Sequence, residues 1–334
     1  MHTPKTRSLN PIADSRLIQI LTGLLVIQLI VVGVVYFPKG KTVTGGAPLL
    51  GSLTADGVTA ITVTDAKGNE ITLQKQGDSW VLPDADDYPA DGERVSKMLD
   101  SLIAIKTDKL ITKTPASQKR LEVAADKFQR KVVLTTADGT QTVFIGTSAG
   151  AKATHVRLDG QNETFLTDAV TAWDAPAQAS GWVKPAFVSV NKDDITAVTI
   201  KNTKGTLAFT KDGDGNWTLA GLGADEKLDS GKVNSMLTQA SKINLNAPIG
   251  KTADPSLGLD NPQATVTINV QPKSGDAQTI VLKFGAKDDN NQYALQSSTS
   301  DYLVRVSGFV GDTFANKSQQ DFIKQPPTPT PESK

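Results

Sequence analysis

The chain repeats itself. At an offset of about 137 to 139 residues, Ile61-Thr-Val-Thr-Asp-Ala-Lys-Gly68 and Ser79-Trp80-Val-Leu82 return as Val198-Thr-Ile-Lys-Asn-Thr-Lys-Gly205 and Asn216-Trp217-Thr-Leu219. Each stretch alternates apolar and polar residues around a glycine turn, the pattern of an antiparallel hairpin with one face buried. Whatever one copy folds into, the other must fold into as well.

Behind each tryptophan comes an aspartate and then a helical pattern. Asp91 leads to Val95, Met98, Leu99 and Leu102, and Asp229 leads to Val233, Met236, Leu237 and Ala240. The spacing i, i+3, i+4, i+7 puts these residues on one helix face, and each aspartate is placed to cap the exposed first-turn amides. The pattern then returns to β. The first copy has Lys131–Thr136, the Asp138-Gly139 turn, Thr142–Gly146, Thr154–Leu158 and Thr164–Leu166. The second has Ala264–Val270, Ile280–Gly285, Gln292–Gln296 and Tyr302–Val306. The expected fold is α+β: two tandem domains, 58–187 and 188–323, each a mainly antiparallel sheet with a packed amphipathic helix.

Leu17–Phe37 is uncharged throughout, and at helical rise it covers roughly 30 Å, the thickness of a bilayer core. Tyr36 and Phe37 stand at its end, where interfacial aromatics belong, and Pro38 stops the helix. The competing reading is a signal peptide cut near Gly45-Gly46-Ala47, but the apolar run is longer than a signal core. Residues 1–16 are then a cytoplasmic tail, 17–37 a single-pass membrane anchor and 38–57 a linker, with the bulk of the chain extracytoplasmic. Residues 324–334, with Pro326-Pro-Thr-Pro-Thr-Pro331, read as an extended tail.

Composition excludes several classes of chemistry. Lysine plus arginine equals aspartate plus glutamate at 35 each, so no net field recruits nucleic acid. The chain has no cysteine, which removes disulfides, thiolate nucleophiles and iron–sulfur ligation, and only two histidines, His2 and His155.

The remaining candidates each have a structural explanation. Asp212, Asp214 and Asn216 start a calcium-loop pattern, but Trp217 and Gly223 occupy the positions that want glycine and glutamate, leaving a hairpin turn. Asp84, Asp86 and Asp87, with Asp288 and Asp289, could pair as acid and base or stay solvated in loops. His155 lies on a strand pattern, and no serine nearby carries a nucleophile-elbow motif. Trp80 and Trp217 fit the core between hairpin and helix, Trp173 and Trp182 a domain junction, and stacking on sugar is the functional alternative. The sequons at Asn162, Asn216 and Asn316 matter only in a eukaryotic secretory pathway. No catalytic, metal or cofactor residue is assigned.

The Gly68/Trp80 and Gly205/Trp217 hairpins, the capped helix, Gly258-Leu259-Asp-Asn-Pro262 before a strand, Gly285 and Tyr293 together resemble a bacterial family known as domain of unknown function four-three-four-zero. The first copy departs from that pattern at Leu121-Glu-Val-Ala-Ala-Asp126 and at His155, which stands where the second has Tyr293. The resemblance implies a membrane-anchored envelope protein, in some members associated with gliding-type ABC transporter components, and carries over no active site. The functional expectation is a non-enzymatic extracytoplasmic binding or scaffold protein with a membrane-protein partner. The alternative is a module that binds an envelope glycan or small ligand in the groove between the domains.

Overall fold

The computed structural model describes residues 46–150 and 152–324. His2, the expected tail 1–16, the anchor 17–37, the linker up to residue 45 and the proline-rich residues 325–334 lie outside them. Among the described residues no helix is long and apolar enough to cross a membrane.

The first copy runs β1 (Val58–Asp65), β2 (Glu70–Gln76), β3 (Ser79–Leu82), β4 (Tyr88–Pro89), α1 (Gly92–Ile103), β5 (Leu110–Thr112), α2 (Pro115–Arg120), β6 (Val123–Ala124), β7 (Lys127–Phe128), β8 (Arg130–Thr136), β9 (Gly139–Ser148), β10 (Thr154–Leu158) and β11 (Thr164–Thr167). The second runs β12 (Ala186–Ser189), β13 (Ile195–Asn202), β14 (Gly205–Lys211), β15 (Trp217–Leu219), α3 (Ser230–Ser241), β16 (Lys242–Asn244), β17 (Ala247–Gly250), β18 (Ala264–Val270), β19 (Gln278–Lys287), β20 (Gln292–Ser297), β21 (Leu303–Ser307) and α4 (Gly308–Ala315). The protein is α+β, with mostly antiparallel sheets and a few helices.

The strand orders show the duplication directly. One sheet is β4-β3-β2-β1-β8-β9-β10-β11-β5 and the other β15-β14-β13-β18-β19-β20-β21-β17, the same path but for β4. In both, the first strand pairs with the hairpin behind it and with the strand after the helix, as Ile61 does with Leu73 and Leu134, and Ile200 with Leu207 and Val266. Alternation along β1 buries Ile61 and Val63, and along β13 Val198 and Ile200, while a register shift at the start of each strand lets Val58 and Ile195 be buried as well. The helices lay Val95, Met98, Leu99 and Leu102, and Val233, Met236, Leu237 and Ala240, onto these faces.

Three boundaries differ from the sequence reading. Residues 47–57 are not a tether: Leu49 and Leu50 are core residues, and the Leu49 amide donates to the Ile105 carbonyl at 2.9 Å. This segment does for the first copy what β12 does for the second by pairing with β16. Its small, glycine-rich neighbours hid a bridge, Pro48 to Lys106, whose partner is remote in sequence. The division at 187/188 falls inside β12, so the second copy starts before Ala186. Lys324, read as tail, is still paired, its amide donating to Lys227 O at 2.8 Å. Most buried apolar residues of both sheets form one contiguous cluster that includes Trp182, Val183 and Val188, with Leu257, Leu259, Ala294 and Leu303 in a small second one.

Candidate functional site

A groove beside the amphipathic helix recurs once in each copy. Along α1, Arg94, Lys97, Met98 and Ser101 line one wall of a groove of about 300 Å³, and Trp173, Asp174, Pro176, Gly181 and Trp182 line the other. Along α3, Lys232, Ser235, Met236 and Gln239 face Phe309, Thr313, Lys317, Asp321 and Phe322 across about 210 Å³. The helix positions correspond one to one. The opposite walls are tied in the same way: the Asp91 amide donates to Trp182 O at 2.6 Å, and the Asp229 amide to Phe322 O at 2.7 Å. Trp182 and Phe322 are thus equivalent floor residues, both buried.

Two aromatics overhang these floors in the open. Trp173 is 90% exposed and Phe309 71%. An exposed aromatic that adjoins the apolar lining of a groove makes a contiguous patch, which a singly scattered side chain does not. Counting back from the equivalent floors, Trp173 corresponds to Thr313, and Phe309 lies one turn earlier on the same helix, where its carbonyl accepts from Thr313 Oγ1 at 3.0 Å. The sequence reading had placed Trp173 at a packed junction. Only Trp182 is packed, with its Nε1 donating to Pro176 O at 2.7 Å.

The tryptophans of the hairpins also part company. Trp80 is buried, on the strand that β4 extends at the sheet edge. The second sheet ends at β15 with no counterpart of β4, and there Trp217 is half-buried and lines an open groove of about 450 Å³ with Lys192, Lys211 and Leu228.

A fourth groove, of about 420 Å³, lies where the copies meet, between Tyr88, Lys184 and Phe187 on one side and Thr299, Ser300 and Tyr302 on the other. Tyr88 and Tyr302 meet edge to face at 4.8 Å, and Tyr302 donates to Asp87 O at 2.8 Å. Burial, reinforced by Tyr302, pushes the Tyr88 phenol up from its ordinary value.

The acidic loops do not converge into one site. The Asp86 carboxylate accepts from the amides of Lys251 at 2.6 Å and Thr252 at 3.3 Å, clamping one copy to the other. Asp86 and Asp87 both hold positive φ, 52° and 61°, to make that reach. Asp288 accepts from Asn290 and Gln292 amides within its own turn. Asp212 likewise accepts from the Asp214 and Asn216 amides at 3.0 and 2.8 Å, so the calcium-like stretch is a turn closed by its own aspartate. Among the described residues no group of three or more acidic or histidine side chains is arranged to hold a metal.

His155 is buried, with Nδ1 2.8 Å from Thr147 O and 3.1 Å from Thr147 Oγ1, a structural pairing within one sheet. Its counterpart Tyr293 donates to Asp312 at 2.8 Å, and Lys287 and Asn316 donate to the same oxygen at 3.0 and 2.8 Å. Burial raises the Asp312 carboxyl, but these hydrogen bonds and the Lys287 charge outweigh it and hold it below the ordinary value. Burial, with the Asp312 bond, raises Tyr293. Of the two expected helix caps, Asp229 accepts from Gly231 and Lys232 amides at 2.9 and 3.2 Å. Asp91 makes no such bond, its carboxylate turning to Arg94 at 3.7 Å.

Sequence reasoning missed Arg157, which is buried in the first sheet. It donates to the carbonyls of Val123 at 2.7 Å and Gln161 at 2.9 Å and lies over the Phe144 ring. A charged residue inside a strand of apolar neighbours was the available signal. It missed Phe309 as well, which a helix pattern would place on either face.

The family model described as domain of unknown function (DUF4340) matches residues 80–256. No curated protein matches the chain. No solved structure matches it either.

Proposed function

The chain belongs to the domain of unknown function (DUF4340) family, a membership that names no reaction, and from it we propose a non-enzymatic, membrane-anchored binding and scaffold protein of the cell envelope. Residues 17–37 are the single-pass anchor, the N-terminus is cytoplasmic, and the two repeats stand outside as an accessory to an envelope or transporter complex. The uncharged run long enough to span a bilayer supports the anchor. The observation that carries the binding role is the pair of matching grooves with Trp173 and Phe309 held out in water. Two sites on one tether raise apparent affinity through effective concentration.

Protease added to intact spheroplasts tests the topology: digestion of residues 58–323 is expected, and their protection would remove it. In-cell cross-linking and capture of the tagged full-length chain tests the scaffold role. One defined membrane complex is the expected result, and no specific partner would end it.

The junction groove supports a second reading, recognition of an envelope glycan or small ligand. Tyr88, Phe187 and Tyr302 offer stacking faces beside the Thr299 and Ser300 hydroxyls. Binding across a glycan panel that disappears with Tyr302→Ala would favour it; no response in the wild type would exclude it.

A further inference from the structure

The two helix grooves share more than shape, and their chemistry narrows what fits them. Each offers an apolar floor, Trp182 or Phe322, a methionine, Met98 or Met236, and one exposed aromatic. The aromatic is present in both copies although non-equivalent residues supply it. Core packing cannot explain that, since both side chains are in water.

The charge on the rims is one-sided in what it leaves available. Asp174 is engaged by the Thr171 amide and hydroxyl, both at 2.8 Å, and Asp321 by the Ser318 amide at 2.8 Å and hydroxyl at 3.0 Å. Both carboxylates close their own turns. Arg94 and Lys97 stand on one rim and Lys232 and Lys317 on the other, and Arg94 also donates across its groove to the Gly181 carbonyl at 2.9 Å. Among the described residues Lys97 and Lys232 form no ion pair, while Arg94 pairs with Asp91 at 3.7 Å and Lys317 with Asp321 at 3.3 Å.

We propose that each groove binds a protein segment presenting a large apolar side chain flanked by carboxylates. The apolar side chain lies between the helix methionine and the exposed aromatic, and the carboxylates meet the rim cations. Concave floors of this size suit a side chain better than a flat lipid surface. The inference rests on the scaffold reading and names the surface through which it works.

The test uses the full-length chain in nanodiscs of zwitterionic lipid. The probe is a fluorescein-labelled amphipathic peptide of leucine, tryptophan and glutamate, compared with the same peptide carrying lysine for glutamate. The glutamate peptide should bind at least about tenfold more tightly, with affinity falling as salt rises. Trp173→Ser combined with Phe309→Ser should cost about tenfold again, and each alone less. Both substitutions are at exposed positions, and an unchanged thermal midpoint verifies the fold.

Absence of binding, equal binding of the lysine peptide, or indifference to the double substitution overturns the proposal. So does binding to phosphatidylglycerol vesicles with no response to peptide. In cells, a wild-type partner still captured by the double variant contradicts this surface and leaves the scaffold reading intact. Peptide binding with no partner captured by the wild type contradicts the scaffold reading alone.

Discussion

At the scale of single residues, the second copy explains oddities in the first. Glu122 holds a left-handed φ of 57°, and Gly258, with φ 65°, occupies the matching place before β18. The first copy therefore makes the same turn without a glycine, at a backbone cost of roughly 1–2 kcal/mol. Glu122→Gly should raise stability by up to about 1 kcal/mol in denaturant unfolding, since the side chain's bond from Gln129 Nε2 at 3.1 Å is partly solvated. A lower midpoint would contradict this. At Asp312 the folded carboxyl lies below its unfolded value, so its contribution is present above the ordinary carboxylate pKa near 4 and is lost as pH falls through the depressed value. Asp312→Asn should be less stable than wild type at neutral pH and converge with it in acid. Parallel curves down to low pH would show that the Lys287–Tyr293 network is not what depresses it.

At the scale of elements, close approach governs the two sheets alike. A methyl on Gly285 would overlap the Leu257 carbonyl oxygen, and one on Gly146 the Leu121 carbonyl oxygen, where β19 and β9 pass beneath the preceding turns. Gly285→Ala should therefore cost about 1–3 kcal/mol by forcing the strand and turn apart, read as a lowered denaturation midpoint. An unchanged midpoint would mean the turn yields freely. These elements were largely legible: the spacing of Val95, Met98, Leu99 and Leu102 and the period-two alternation around Ile61 and Val198 each name a buried face that the fold uses. What was not legible depended on partners distant in sequence. Leu49 and Leu50 looked like linker because the residue that Leu49 bonds, Ile105, lies beyond α1 in the chain. Trp173 and Trp182 look alike in a string, and only the packing of the segment after β11 decides which is inside. β4, two residues long, carries no pattern, yet it extends the first sheet beyond β3 where the second ends at β15.

At the scale of the whole molecule, duplication has not produced two independent bodies. The main core cluster spans both sheets and includes Trp182, Val183 and Val188, and Asp86 binds the amides of Lys251 and Thr252 across the junction. The region from Ala47 onward should unfold in one cooperative transition, and Trp182→Ala, emptying a site 1% exposed, should cost about 3–5 kcal/mol and lower that single transition. Two separated transitions in the wild type would contradict a shared core. The same unity sets two equivalent grooves at fixed places on one body, which is what a bivalent grip on one partner requires. The most direct test places a photo-cross-linking residue at Trp173, at Phe309 and, as a control, at the exposed Asp138 turn of the full-length chain in living cells. The account predicts one common protein adduct from positions 173 and 309 and none from 138. Adducts absent from both grooves, or identical at all three positions, would contradict it.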